Sequence, residues 1–159
     1  MYASINWCMD EIEIAVRSIS DNPRFVVPSK ATAGSHGFDV CAYVSKPIAI
    51  DPGKVALIPT DIRITLPADM EAQVRSRSGL AAKQNVFVLN SPGTIDSDYS
   101  GEIKVILANF GNDRFYVQPN MRIAQLIFSK VPNVKLINTS TGNLFGDERG
   151  SNGFGSTGL

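Results

Sequence analysis

The sequence predicts an all-β protein, a sandwich, jelly roll or barrel, on three observations. Pro23, Pro28, Pro47, Pro52, Pro59 and Pro67 cut the first half of the chain into pieces too short for ordinary helices. Between such breaks lie about a dozen short strand-like runs, separated by Pro, Gly, Asn and Asp turns. Where the pattern is cleanest, Met70, Ala72 and Val74 alternate with Glu71, Gln73 and Arg75, the period of two that a half-buried strand requires.

Taken in order, strands are expected at 12–16, 25–27, 38–43, 54–58, 61–66 and 70–75, then at 86–89, 102–109, 114–117, 122–129 and 134–137. Each is a short apolar or alternating run bounded by turn residues. The one helical piece expected is a turn or two after Gly79, at 80–83. No fixed-period repeat and no interdomain linker divides the chain. Residues 1–11 read as a loose N-terminal extension with Met9 as an alternative start, 12–141 as a single domain, and 142–159 as a glycine-rich arm.

Composition narrows the function. Fifteen Lys and Arg balance fifteen Asp and Glu, so the basic excess of a dedicated nucleic-acid binder is missing. The longest aliphatic runs, Val105-Ile-Leu-Ala108 among them, are far short of the ~20 residues of a membrane-spanning helix. The first thirteen residues hold three acids and no Lys or Arg, unlike a secretory signal, so a cytoplasmic location is expected. Cys8 and Cys41 make no disulfide framework and read as free thiols. With one histidine, His36, and no CxxC, a zinc site has no support; His36 reads as a loop residue.

Four segments carry candidate chemistry. In 90–102, Asp96, Asp98 and Tyr99 crowd one hairpin. Two carboxylates two apart on a strand share a face and can bind a metal or act as an acid/base pair; the same residues also suit an acidic, solvated hairpin tip. An EF-hand is excluded, because its regular oxygen ligands and final Glu are missing. In Ser76-Arg77-Ser78-Gly79, a turn can aim N–H groups, a hydroxyl and a guanidinium at an anion, or simply face water. Gln125 interrupts an apolar run, 122–128, either as a solvated residue or as a ligand contact. Six of thirteen glycines fall from Gly142 onward. That tail reads either as a solvated terminus or, given Arg149, Phe154, Ser156 and Thr157, as a lid over a phosphorylated aromatic ligand. Rossmann and P-loop readings fail because no helix follows these glycines.

In order, these segments resemble the trimeric dUTP pyrophosphatase (dUTPase) family, from about Ile12 to Leu159. Its five motifs are matched by Gly37-Phe-Asp-Val40, Arg77-Ser-Gly-Leu80, Gly93-Thr-Ile-Asp-Ser-Asp-Tyr-Ser-Gly-Glu102, Arg122-Ile-Ala-Gln-Leu126 and Arg149-Gly-Ser-Asn-Gly-Phe-Gly-Ser-Thr-Gly158. The resemblance implies a distorted β jelly roll of the β-clip type. It also implies a homotrimer whose sites lie at subunit boundaries, each closed by a flexible arm from a neighbour.

It implies, further, hydrolysis of dUTP to dUMP and pyrophosphate, keeping uracil out of DNA and supplying dUMP for thymidylate synthesis. Asp96 is then the general base for water attacking the α-phosphorus. Mg²⁺ is held mainly by the phosphates, with Asp39 reaching it through water. Tyr99 lies against deoxyribose and excludes a 2′-hydroxyl, and Asn90 pairs with uracil. Arg77, Ser78, Gly79 and Gln125 hold the α- and β-phosphates. In the arm, Phe154 stacks on uracil, Arg149, Ser156 and Thr157 hold the γ-phosphate, and Gly155 is a further substrate-binding residue. Neither nucleic acid nor membrane is an implied partner.

Departures from the family pattern are His36 before the first motif, Ser76 in place of a frequent proline, Ser100 in place of a long side chain, and Asn152 in place of glycine. They bear on loop geometry and affinity. Three alternatives stand beside the main reading: a dCTP deaminase or bifunctional deaminase–pyrophosphatase, a non-catalytic regulatory trimer, and a structural β-trimer. The intact tail argues against the first, and retention of Asp96 with Tyr99 against the second.

Overall fold

The computed structural model describes residues 11–23 and 25–138. Among these, the elements in order are β1 (Ala15–Ser18), β2 (Phe38–Cys41), β3 (Ile48–Ile50), β4 (Val55–Thr65), β5 (Met70–Arg75), α1 (Ser78–Gln84), β6 (Val86–Val88), β7 (Gly93–Ile95), β8 (Ile103–Asn109), β9 (Phe115–Val117) and β10 (Arg122–Lys130). The chain is all-β, as expected. One antiparallel sheet runs β1-β4-β8-β6 and another β2-β10-β5-β7, while β3 and β9 form a two-stranded ribbon. The two sheets share one core: Ile58, Val86, Val105 and Leu107 come from the first, and Val40, Val74, Ile123 and Leu126 from the second. In β5, Met70, Ala72 and Val74 are buried and their neighbours are not, as the period of two predicts.

Several expected boundaries move, each for want or gain of a ladder partner. β1 starts at Ala15 rather than residue 12, because Ala15 already pairs with Thr65, the last residue of β4. Residues 134–137 are not a strand: the β10–β5 ladder ends at Lys130↔Met70, the first residue of β5, and Val134, Leu136 and Ile137 stand exposed. Residues 25–27 are not a strand either; Phe25 packs on the core while Val26 and Val27 face outward. Two strands missed by the sequence pattern, β3 and β7, are three residues long and abut Pro47 and Pro92, which read as turns. The helix spans Ser78–Gln84 and closes on Asn85, whose left-handed φ of 52° turns its N–H onto the Leu80 and Ala81 carbonyls. His36 is exposed outside any strand or helix, and Cys41 is a free thiol. Cys8 lies outside the described residues. Among the described residues no helix is long and apolar enough to cross a membrane.

The two strands expected at 54–58 and 61–66 are one strand, β4, carried across Pro59 by a bulge. Ile58 pairs with Val105 and Ile62 with Ile103, so four steps on β4 answer two on β8. The bulge is held by side chains. Glu102 Oε1 accepts the N–H groups of Thr60 and Asp61 at 3.1 and 2.9 Å. Asp61, only 3% exposed and at φ 61°, accepts hydrogen bonds from the Ser18 and Ser20 hydroxyls (2.5 and 2.9 Å). It also accepts the amides of Ile19 and Ser20 (3.1 and 2.8 Å), which ties the end of β1 to β4.

Burial pushes the Asp61 carboxyl up, but these four donors outweigh it and hold it below its ordinary value. Its stabilisation is therefore complete above the unfolded carboxylate pKa of about 3.9 and is lost as pH falls through the lower folded value. Asp61→Ala should cost about 1–3 kcal/mol at pH 7 in denaturant melts. The gap to wild type should shrink below pH ~4; a gap independent of pH would show that the carboxylate charge is irrelevant.

Candidate functional site

The second sheet brings the sequence motifs side by side. β10 pairs with β2 on one side, placing Gln125 opposite Asp39, and with β5 on the other, placing Gln125 opposite Arg75. β5 pairs in turn with β7. Segments 37–40, 122–126, 76–80 and 93–102 thus sit on, or run directly from, four neighbouring strands.

On β2, Val40 is buried, so Asp39 and Cys41 point from the opposite face. The Asp39 carboxylate receives Arg77 Nε at 3.1 Å and Arg122 Nη1 at 3.0 Å, and Arg77 Nη1 also donates to the Arg122 carbonyl at 3.0 Å. Sequence reasoning assigns Arg122 no role of its own; here it is the second guanidinium on Asp39. Its β2–β10 register opposite Cys41, two residues from Asp39, is the signal that locates it. Two guanidinium groups on one carboxylate leave a net positive charge and several unspent N–H donors. These pairs are partly exposed, so they contribute little to stability themselves. Desolvation and then the Asp39 carboxylate push the Cys41 thiol up, against the opposing pull of Arg122 and Arg77, so it is a neutral thiol at pH 7.

Gln125 is partly buried and spends its Nε2 on the Ser76 carbonyl at 2.9 Å. Its Oε1 lies against Gly37, where an added Cβ would fall 2.1 Å away, so a side chain at that position would have to displace the Gln125 amide. Ser78 and Gly79 are exposed in the first turn of α1, beside Arg77, where backbone N–H groups lack intrahelical partners.

The hairpin after β7 forms a second cluster. The strand ends at Ile95, and Tyr99 N–H closes a turn onto the Asp96 carbonyl at 3.1 Å. Asp96 and Asp98 therefore do not share a strand face as the spacing predicts, because the chain turns between them. Asp96 is exposed, with no hydrogen bond or ion pair to its carboxylate among the described residues. Tyr99 is 45% exposed and donates its hydroxyl to the Glu102 carbonyl at 2.8 Å. Its ring crosses Gly101 so closely that a Cβ there would lie 2.5 Å from the phenol oxygen. Asn90 is exposed at the turn leading into the hairpin.

Among the described residues no hydrogen bond or ion pair joins Asp96, Tyr99 or Asn90 to Asp39, Arg77 or Gln125. β2 and β7 are the two edges of their sheet, three inter-strand steps or about 14 Å apart. Nor do three His, Cys, Asp or Glu side chains stand together to hold a metal ion among the described residues. Arg149, Phe154, Gly155, Ser156 and Thr157 lie outside the described residues.

The all-β scaffold thus presents paired arginines on one strand set and a carboxylate-bearing hairpin on another. A family model described as dUTPase matches residues 24–158, and the chain belongs to that family. It is similar to the deoxyuridine 5'-triphosphate nucleotidohydrolase of Chlamydia muridarum (strain MoPn / Nigg), 55% identical over 132 residues that cover 83% of this chain and 90% of that protein. It is also similar to the protein of the same name from Orientia tsutsugamushi (strain Boryong), 50% identical over 135 residues, 84% of this chain and 88% of that one.

Two solved structures share the fold. The Staphylococcus bacteriophage 80alpha dUTPase with dUpNHpp has a TM-score of 0.77 at 21% identity, covering 92% of this chain and 99% of that one. A variant dUTPase from phage phi11 of S. aureus, described for its coordination of a structural Mg(II) ion, has a TM-score of 0.72 at 18% identity, covering 82% and 99%.

Proposed function

We propose that this protein hydrolyses dUTP to dUMP and pyrophosphate by water attack on the α-phosphorus, removing a precursor of uracil in DNA and supplying dUMP for thymidylate synthesis. The observation that carries the reading is the placement of four motifs on neighbouring strands, with Asp96 exposed and its carboxylate unspent. A carboxylate in that state can accept a hydrogen bond from water, orient it and take its proton. Arg77, Ser78, Gly79 and Gln125 bind the α- and β-phosphates, because they gather a guanidinium, a hydroxyl, helix-turn N–H groups and an amide at one rim.

Tyr99 packs on the sugar, where a 2′-hydroxyl would meet its ring. Asn90 reads the uracil edge; cytosine, with a donor where uracil has an acceptor, leaves buried groups unpaired. The arm bearing Arg149, Phe154, Gly155, Ser156 and Thr157 closes over uracil and the γ-phosphate.

The donor set fits a Mg²⁺ ion held chiefly by the triphosphate. Asp39 has both oxygens on arginines, but each keeps a lone pair for a metal-bound water. When bound, the ion neutralises charge building on the phosphates.

The working unit in this reading is a homotrimer of distorted jelly-roll domains (12–141), with 142–159 as the closing arm, in the cytoplasm. Two features support assembly. The Asp96 hairpin and the Asp39 cluster lie at opposite sheet edges, so a neighbouring copy can complete each site. The outer face of the first sheet is also apolar where a solvated sheet would be polar. Leu57 pairs with Ile106, Leu89 N–H bonds the Ile106 carbonyl, and Val55 and Phe87 flank Ala108; Val55, Leu57 and Leu89 are at least half exposed.

Pyrophosphate release from dUTP, dCTP, dTTP and UTP in parallel tests the specificity. Release from dUTP at least about a hundredfold above the others is expected: cytosine leaves polar groups unpaired, while the 2′-hydroxyl of UTP and the methyl of thymine meet steric overlap. Comparable release from UTP would refute the role given to Tyr99.

A further inference from the structure

We infer that Ser76 is a positioning residue that ties the phosphate-binding turn to the base-reading hairpin, an inference that rests on the function proposed above. Three of its polar groups are used, each on a different part of the site. Its carbonyl accepts Gln125 Nε2 at 2.9 Å, its hydroxyl accepts the Val88 N–H at 3.0 Å, and its own N–H donates to Ser91 Oγ at 3.2 Å. Its chain neighbour is Arg77, which holds Asp39, and the neighbour of Ser91 is Asn90. One residue thus fixes the direction in which Arg77 leaves β5, the amide plane of Gln125 and the base of the Asn90 hairpin.

A proline at this position, as the family resemblance leads one to expect, has neither the N–H nor the hydroxyl, so two of the three links belong to the serine. None of these groups touches substrate in the proposed reaction. Their effect runs through where Arg77, Gln125 and Asn90 stand before dUTP arrives, and preorganisation of that kind acts mainly on binding.

The test is steady-state kinetics on Ser91→Ala, Ser91→Thr and Ser76→Ala in the full chain, with melting temperatures and dUpNHpp affinity measured alongside. Ser91→Ala and Ser76→Ala should each raise KM for dUTP roughly three- to tenfold, the scale of one hydrogen bond, with kcat within about twofold. Ser91→Thr keeps the hydroxyl and should restore KM. A lower melting temperature with KM and dUpNHpp affinity unchanged would make Ser76 merely structural and overturn the inference alone. A wild-type protein that neither binds nor hydrolyses dUTP would remove the functional reading and this inference with it.

Discussion

Asp96→Asn is expected to reduce dUTP turnover by about 10²–10⁴-fold, the range for removing a positioned general base, while dUpNHpp binds within a few-fold of wild type. The amide is nearly isosteric but cannot take a proton from water. Because Asp96 is exposed and its carboxylate makes no hydrogen bond among the described residues, the change should leave folding untouched. Single-turnover assays with calorimetric binding separate the two quantities. Retained turnover would move the base elsewhere. A wild-type protein that binds dUTP without hydrolysing it would favour the regulatory-trimer reading.

Arg77→Ala should lower kcat/KM for dUTP roughly 10- to 150-fold, the equivalent of about 1.5–3 kcal/mol for hydrogen bonds to a charged group. Two losses combine. The phosphates lose a planar fork of donors, and Asp39 keeps only Arg122. The melting temperature should scarcely change, since the Arg77–Asp39 pair is partly exposed. Arg77→Lys should rescue poorly, because an ammonium cannot reach Asp39, the Arg122 carbonyl and a phosphate together. A large drop in stability with normal kinetics would assign Arg77 to the fold instead of the site.

Much of the fold was legible where local pattern and ladder partner agree. β5 shows this, because its alternation survives intact between two neighbours. The failures have one physical source: a strand exists only where another strand offers unpaired backbone. Residues 134–137 have strand composition but run past the start of β5, whereas Gly93–Ile95 has turn composition yet lies along β5 and pairs. Pro59 reads as a break because sequence does not show that Glu102 and Asp61 would satisfy the bulge.

For the site, the motif residues were visible as types and their order pointed to the family, but their grouping was not. Asp39, Arg77 and Arg122 are far apart in sequence and meet only because β10 lies between β2 and β5. Ser91 carries no signal beyond its place next to a proline; its link to Ser76 depends on the hairpin folding beside the end of β5. Conversely, Asp96 and Asp98 share a parity that suggests one face, and the turn closed by Tyr99 N–H separates them.

In the proposed reaction water attacks the α-phosphorus of dUTP. Turnover of dUTP in H₂¹⁸O, with mass spectrometry of both products, tests it most directly. The expected result is one ¹⁸O atom in the phosphate of dUMP and none in pyrophosphate. Label in pyrophosphate, or release of dUDP and inorganic phosphate, would place the attack at another phosphorus and contradict the account.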